Sequence, residues 1–303
     1  MMGVERVALY TVVHPGAVPY LGAWYASVEG QTDAGFDLWV SVDGMEVEDV
    51  VRAMGGRAKP RAIWLRAAEG ASPSAIRAHA IELMTGEYDA VVFADSDDLL
   101  HPSRIAAARS ALERDDVAAC ALRIIDQAGR DLQRTFGAEG VADASAMLPR
   151  YNVFGLSNSA YRSDVLRSCL PIPPACVASD WLMATRAWAM GATLAFDTTP
   201  RMSYRQYGSN TAQVVPPFTV QHVRKATTCV ADHYRYVLES GWPLPDHVRG
   251  ELRAARARVE CFRRAIANEH TLTEYVDALN DLAPRYVWWW CVAHPELEAL
   301  WTT

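Results

Sequence analysis

The stretch AVVFADSDDLL (Ala90–Leu100) places three carboxylates directly after a short apolar run. An apolar run of this length, bounded by polar residues, is typical of a strand buried on both faces of a parallel sheet. Asp95, Asp97 and Asp98 then follow at the carboxyl end of that strand, where open α/β sheets bind their ligands. The stretch therefore predicts an α/β fold with a polar binding site at the strand end.

The chain on both sides of this stretch repeats a pattern of strands and helices. The predicted strands are Val7–Val13, Phe36–Val42, Ala62–Leu65 and Ala90–Ala94. The predicted helices begin at Pro19, at Ser72-Pro73 and at Pro102, and Gly86 is expected to end the second of them. Such repeated units imply a mostly parallel central sheet with flanking helices. Asp43 follows the second strand and is therefore expected at the same edge of the sheet as residues 95–98.

The pattern changes at Pro216-Pro217, after which the sequence predicts helices only. These helices cover about 218–239, 246–268 and 271–283 and are followed by a Trp-rich end. We expect residues 1–215 to form an α/β domain and residues 216–303 to form a helical C-terminal region. The acidic neighbours of Trp288–Trp290 oppose an anionic lipid surface, so we expect this end to pack on the core or in a homodimer interface.

Composition excludes several classes of protein. With 29 Lys and Arg against 36 Asp and Glu, the net charge is −7, which argues against an extended nucleic-acid-binding face. The six cysteines show no zinc-site spacing, and no apolar stretch approaches the ~20 residues that span a bilayer. No P-loop or G-x-G-x-x-G motif occurs. We expect a cytoplasmic protein, with peripheral contact at the inner face of the membrane as the alternative.

Three carboxylates within four residues repel one another unless a cation holds them. Hard oxygen ligands suit Mg²⁺ or Mn²⁺, which also bind substrate phosphates. An acidic loop that only caps the helix at Pro102 is the simpler alternative. An EF-hand is excluded because Leu100 and Ala106 occupy the positions of its glycine and glutamate. A haloacid-dehalogenase-type phosphatase fits poorly, since the only downstream lysine is Lys225 in the helical tail.

Several segments, in order along the chain, resemble the family 2 glycosyltransferases of GT-A fold. Phe93-Ala94-Asp95-Ser96-Asp97-Asp98 is similar to the family's metal motif, and Ser179-Asp180-Trp181 resembles its catalytic x-Asp motif. Further similarity lies in the Phe36–Gly44 strand, in the segment from Ile76 to Tyr88, and in Tyr204-Arg205-Gln206-Tyr207-Gly208-Ser209-Asn210. Together these segments cover about residues 5–211, and each is weak by itself.

The resemblance implies a role for each matching residue. Asp95, Asp97 and Asp98 would share ribose contact and coordination of Mn²⁺ or Mg²⁺, with Asp97 and Asp98 nearest the metal. Asp180, at the start of a predicted helix 180–190, would be the general base that activates the acceptor hydroxyl. An ordinary first-turn aspartate is the alternative interpretation of Asp180.

Four further residues are expected around the nucleotide. Asp43 would accept hydrogen bonds from the base or ribose, although a turn aspartate before Gly44 explains it equally simply. Arg77 would face the diphosphate or the base, against the alternative of a solvated helix arginine. Thr11 and His14 lie at the end of the first strand and are candidate nucleotide contacts. The family usually has a different motif at this place.

Two residues of the segment Tyr204–Asn210 are expected near the leaving group. Arg205 would supply positive charge to the diphosphate, against the alternative of a structural ion pair. The family's late histidine, often a metal ligand, aligns with Tyr207, and a neutral phenol is a poor ligand for these cations. Tyr207 would then hydrogen-bond the diphosphate, or the aspartates and phosphates alone would hold the metal.

The sequence thus predicts an inverting, metal-assisted glycosyltransferase that uses a nucleoside-diphosphate sugar, with UDP- or dTDP-sugars favoured. The expected acceptor is a glycan, a lipid-linked sugar or a small metabolite, selected by residues 130–160 and the tail. Two alternatives remain open. One is a non-catalytic sugar-nucleotide-binding or scaffold protein of the same fold, and the other is a nucleotidyl- or phosphotransferase.

Overall fold

A computed structural model of the chain describes residues 3–56, 62–137, 144–208 and 210–302. Within these residues the strands are β1 (Val7–Val13), β2 (Phe36–Val42), β3 (Ile63–Arg66), β4 (Ala90–Phe93), β5 (Leu99–Leu100), β6 (Val117–Ile125), β7 (Asp131–Phe136), β8 (Ser159–Arg162) and β9 (Leu194–Arg205). The α-helices are α1 (Leu21–Glu29), α2 (Val47–Ala53), α3 (Pro73–Glu87), α4 (Arg104–Leu112), α5 (Ser163–Ser168), α6 (Ser179–Ala189), α7 (Val220–Glu239), α8 (Asp246–Ala265) and α9 (Glu269–Asp281). Three short 3-10 helices cover Pro15–Tyr20, Ser145–Met147 and Pro295–Leu300.

All nine strands belong to one sheet in the order β3-β2-β1-β4-β8-β6-β9-β5, with β7 paired to β6. The strands β1, β2, β3, β4, β6 and β9 run in one direction, and β8 lies antiparallel between β4 and β6. The predicted fold class, a mostly parallel sheet with flanking helices and a helical C-terminal region, is therefore confirmed.

The parallel pairing places the ends of three strands side by side. Val13 pairs with Val42 at the ends of β1 and β2, and Tyr10 pairs with Phe93 where β4 ends. The loops that follow β2 and β4 consequently leave the same edge of the sheet, as expected for Asp43 and for residues 95–98.

Most predicted elements are present with small shifts of their ends. β1 and β2 have the predicted bounds, whereas α1 begins at Leu21 because Pro19 lies in the preceding 3-10 helix. The prediction that Gly86 ends α3 is wrong, since the helix includes Gly86 and the chain turns extended only at Tyr88. Ser72 caps the start of α3 as predicted, accepting a hydrogen bond from the backbone of Ala75.

The sequence interpretation missed the strands that complete the sheet beyond β4. β8 joins β4 to β6, and the long strand β9 pairs with both β6 and β5. Because β5 directly follows the acidic cluster, this pairing brings the end of β9 against residues 97 and 98. The second half of the candidate site therefore depends on elements that were not predicted.

The C-terminal region packs on the sheet through its tryptophans. Trp288, Trp289 and Trp290 are all buried, and the Trp288 indole N–H donates to the Tyr204 hydroxyl at 3.3 Å. The ring of Trp288 also packs against Phe136 in a tilted arrangement, with 4.1 Å between ring centroids and 50° between ring planes. The tryptophans thus pack on the core, while the division into 1–215 and 216–303 and a homodimer interface at this end stay predictions. No helix of the described residues is long and apolar enough to cross a membrane.

Candidate functional site

Thr11, His14 and Asp43 lie where the neighbouring strands β1 and β2 end. Thr11 is buried in β1, and its hydroxyl has no hydrogen-bond partner among the described residues. His14 is exposed, and its Nδ1 accepts the backbone N–H of Gly16 at 3.2 Å, which caps the 3-10 helix that follows. The Asp43 backbone N–H donates to the Val13 carbonyl at 2.9 Å, which fixes the start of the loop after β2 beside β1.

Asp95 is the most accessible member of the acidic cluster. Its Oδ2 accepts a hydrogen bond from the Ser157 hydroxyl at 2.8 Å, and its Oδ1 lies 4.0 Å from Nη2 of Arg77. Arg77 projects from α3 with only 19% of its side chain exposed. A half-buried guanidinium beside a half-buried carboxylate is suited to binding a polar ligand, because solvent screens such a pair less than an exposed one.

Asp97 and Asp98 lie deeper than Asp95. The Asp97 carboxylate accepts a hydrogen bond from the Tyr207 hydroxyl at 2.5 Å, and Oδ1 of Asp98 accepts the backbone N–H of Arg205 at 2.7 Å. Burial raises the pKa of both carboxyls; the negative charge of Asp95 adds to this for Asp97, and that of Asp97 for Asp98. The charge of His14 acts in the opposite direction and lowers the pKa of Asp97.

One carboxylate oxygen of the cluster is buried without a partner in the described ranges. The second carboxylate oxygen of Asp98 is enclosed and has no hydrogen-bond partner among the described residues. A divalent cation close to such carboxylates reverses the effect of burial on their pKa values. Within the described part of the chain, no three His, Cys, Asp or Glu side chains are arranged as a metal cage. Mg²⁺ commonly binds through one or two carboxylates and substrate phosphates, so the donor set fits a cation held partly by a ligand.

Arg205 joins the acidic cluster to neighbouring loops. Its Nε donates to the Asp97 carbonyl at 2.7 Å, and its Nη1 donates to the carbonyls of Asp126 at 3.2 Å and Gln127 at 3.0 Å. The guanidinium lies 4.6 Å from the ring centroid of Tyr20, a cation–π contact. Arg205 is therefore engaged mainly with backbone carbonyls rather than with a carboxylate, and its contact with a diphosphate stays a prediction. Ser209 of the same segment lies outside the described residues.

Asp180 lies in the first turn of α6, as predicted. Its Oδ1 accepts the backbone N–H of Trp181 at 2.8 Å, and its Oδ2 accepts the amide of Asn152 at 3.0 Å. Burial raises the pKa of Asp180 to about 6, an effect that the Trp181 N–H and the positive charge of Arg77 partly offset. The negative charge of Asp95 raises the same pKa.

The segment before α6 is fastened to the start of α3. The hydroxyl of Ser72 donates to the Pro174 carbonyl at 2.5 Å, and the hydroxyl of Ser74 donates to the Cys176 carbonyl. Because α3 carries Arg77 and α6 begins a few residues after Cys176, these bonds hold Asp180 close to Arg77. These contacts join two parts of the chain that lie 102 residues apart.

Three side chains of the site were not found by sequence reasoning. Ser157 binds Asp95, Asn152 binds Asp180, and Tyr20 lies between Arg205 and Tyr207. Asn152 and Ser157 precede the unpredicted strand β8, so no pattern in the sequence placed them near the cluster. The polar residues in the otherwise apolar stretch 151–161 were the only available signal.

No protein-family model matches the chain, and no curated protein is significantly similar to it in sequence. Solved structures share its fold. Residues 1–349 of S. aureus TarS, in complex with UDP-GlcNAc, are 14% identical with a TM-score of 0.60; the match covers 88% of this chain and 75% of that one. The mannosyltransferase PcManGT from Pyrobaculum calidifontis, in complex with GDP-Man and Mn²⁺, is 14% identical with a TM-score of 0.62; the match covers 93% of this chain and 77% of that one.

These similarities define the class of fold. The chain has the α/β fold of the TarS and PcManGT structures, which were both determined with a nucleotide sugar bound. At 14% identity the likeness is one of fold alone, so any assignment of activity must be argued from the residues of this chain.

Proposed function

We propose that this chain is a metal-assisted, inverting glycosyltransferase that moves a sugar from a nucleoside-diphosphate sugar to an acceptor hydroxyl. The observations that carry the proposal are the Arg77–Asp95 contact at 4.0 Å and the influence of both charges on the pKa of Asp180. A transferase needs a polar site for the leaving diphosphate and a base for the acceptor within the same pocket. The shared fold with structures that hold UDP-GlcNAc and GDP-Man supports the choice of donor class.

The nucleotide part of the donor is assigned to the ends of β1 and β2. Asp43 is half-buried there and His14 adds an exposed imidazole, while the Thr11 hydroxyl has no partner within the described part of the chain. Asp95 contacts the ribose or the cation, and Arg77 faces the diphosphate. Arg77 has a suitable charge and, at 4.0 Å from Asp95, a contact long enough to be exchanged for a phosphate oxygen.

Asp97 and Asp98 are the residues that would hold Mn²⁺ or Mg²⁺ most directly, with Asp95 shared between the cation and the ribose. When bound, the cation supplies fixed positive charge to the departing diphosphate. The chain's own contribution is to keep these carboxylates in place. Arg205 acts here as a positioning residue, because it binds the backbone of Asp97 and the carboxylate of Asp98 through separate N–H groups.

Asp180 is the proposed general base. A base is most effective when its pKa lies near the working pH, and burial brings the pKa of Asp180 to about 6. Its Oδ2 takes the proton of the acceptor hydroxyl while that oxygen forms the new bond to the anomeric carbon and the diphosphate leaves. A single displacement assisted by one base on the face opposite the leaving group inverts the anomeric centre.

A panel of UDP-, dTDP- and GDP-sugars, incubated with and without Mn²⁺, tests the proposal. Release of free sugar and nucleoside diphosphate, stimulated by the metal, is the expected result because water can replace the acceptor. Binding of the sugar nucleotides without turnover, even with acceptors present, would instead support a scaffold protein. Release of pyrophosphate or phosphate would support a nucleotidyl- or phosphotransferase and overturn the proposal.

A further inference from the structure

A second concave site lies at strand β7, which pairs with β6 and is separated from β1 in the sheet by β4, β8 and β6. It is a cleft of about 580 Å³ between the end of β7, the segment that includes Met147 and Tyr151, and residues 284–287 of the C-terminal region. Ligand sites in proteins commonly have volumes of ~300–1,000 Å³, so the cleft is large enough for a sugar unit. None of the residues assigned to the donor lines it.

The cleft is rich in arginine although the chain as a whole is acidic. Arg134 and Arg285 line it, and 55% of the Arg285 side chain is exposed. Burial raises the pKa of Tyr151, and the positive charges of Arg150, Arg285 and Arg258 lower it.

Among the described residues, acidic side chains only partly balance these charges. Glu298 binds Arg258 at 2.8 Å, whereas Glu296 approaches Arg285 only to 3.9 Å. Arg285 is therefore free to turn toward a ligand at little cost, since such an exposed, long ion pair contributes little. Guanidinium groups at the wall of a cleft are suited to phosphate and carboxylate oxygens.

Along the chain, both walls of the cleft lead into the buried residue Asn152, which binds the proposed base. Tyr151, which lines the cleft, is followed by Asn152, whose amide binds the Asp180 carboxylate at 3.0 Å. On the other wall, Val287 is followed by Trp288, whose backbone N–H donates to the Asn152 carbonyl at 3.3 Å. Both walls thus meet at Asn152, directly beside Asp180.

We propose that this cleft binds the acceptor, and that the acceptor carries an oxyanion, a phosphate or a carboxylate, held by Arg134 and Arg285. The role of the bound molecule as acceptor rests on the proposed function, whereas the binding of an oxyanion in the cleft does not. The apolar walls formed by Tyr286 and Val287 suit the carbon skeleton of a sugar or alcohol. The hydroxyl to be modified would then point toward Asn152 and Asp180.

Calorimetric titration of the full chain tests the proposal, with UDP and Mn²⁺ present at saturation so that the donor site is closed. The probes are glucose 6-phosphate, glucuronate and glucose. We expect one or both charged sugars to bind at least about tenfold more tightly than glucose, because a charge-assisted hydrogen bond is worth that much or more. Preference for the phosphate or for the carboxylate identifies which oxyanion the acceptor carries.

The variant R134Q/R285Q should lose this preference, while its affinity for UDP equals that of the wild type. Arg263→Gln is the matched control, since it removes the same charge from an exposed arginine that pairs with Glu260 on its own helix. Equal binding of all three sugars, or unchanged binding to R134Q/R285Q, overturns the proposal. If the chain binds no nucleotide, the proposed function fails, but the dependence on Arg134 and Arg285 still decides whether the cleft binds oxyanions.

Discussion

The phenol of Tyr207 donates a hydrogen bond to the carboxylate of Asp97 with 2.5 Å between the oxygens. Burial and this hydrogen bond raise the pKa of Tyr207, so the phenol stays protonated and neutral. The hydrogen bond also lowers the pKa of Asp97 against the effect of burial. Tyr207 therefore acts on the cluster as a hydrogen-bond donor to a carboxylate proposed to hold the cation.

Replacing Tyr207 by histidine should strengthen metal binding. An imidazole nitrogen is a metal ligand, whereas the neutral phenol competes with the metal for the Asp97 oxygen. We expect the Tyr207→His variant, with UDP bound, to bind Mn²⁺ about tenfold more tightly, the lower end of the range typical for groups around metal sites. The affinity can be measured by electron paramagnetic resonance of free Mn²⁺.

Tyr207→Phe is the control for this experiment, because it removes the hydroxyl without adding a ligand. It should tighten Mn²⁺ binding less than Tyr207→His does. Equal affinities of the two variants would show that residue 207 does not reach the cation.

Asp180→Asn should abolish transfer while leaving the donor bound. The amide keeps the size of the carboxylate but cannot accept a proton, so we expect the rate of sugar transfer or donor hydrolysis to fall by about 10²–10⁴-fold. The dissociation constant of UDP should stay within twofold of the wild type. Asp164→Asn, whose side chain is 80% exposed on α5, is the matched control. Parallel loss of UDP binding and turnover would exclude Asp180 as the base.

The rate of the reaction should depend on the protonation of Asp180. The pKa of Asp180 is raised from its ordinary value to about 6, so the carboxyl is mostly ionised above pH 6 and protonated below it. We therefore expect kcat/KM to fall about tenfold per pH unit below pH 6 and to level off above it. A flat profile between pH 5 and 7 would contradict this role.

Asn152 provides an independent test of the same pKa. Its amide donates to the charged form of Asp180, and a hydrogen bond to the charged form favours ionisation. Asn152→Ala should thus shift the acid limb of the pH profile to higher pH, whereas a purely structural role would lower the rate at every pH. Asn158 provides the control, because its amide donates to the Cys120 and Val153 carbonyls and not to Asp180.

The sequence predicted the parts of the fold that follow from local patterns. β1 and β2 are mostly apolar, β4 is entirely so, and α3 has a capping serine before a proline, so their positions needed no knowledge of the tertiary structure. The acidic cluster was found for the same reason, because the end of a buried parallel strand is recognisable. The short strand β8 (SAYR) and the exposed strand β7 (DLQRTF) have no such pattern.

The unpredicted contacts of the site depend on those strands. Ser157 reaches Asp95 across 62 residues of sequence because β8 inserts antiparallel between β4 and β6. Arg205 reaches Asp98 because β9 pairs with the two-residue strand β5. Strand pairing over such separations is set by the packing of the whole sheet, which no local periodicity reveals.

Gly155 should be essential for packing of the C-terminal region. A Cβ at this position would overlap the ring of Trp288, which already contacts Phe136 and Tyr204. Because a buried indole cannot move without disturbing these contacts, we expect Gly155→Ala to lower the free energy of unfolding by ~1–3 kcal/mol. Gly86→Ala is the matched control, since a Cβ there meets no atom within 4 Å on helix α3. That control should stabilise the protein by ~0.5–1 kcal/mol. Urea unfolding of both variants measures the difference, and equal effects would show that Trp288 can move to make room.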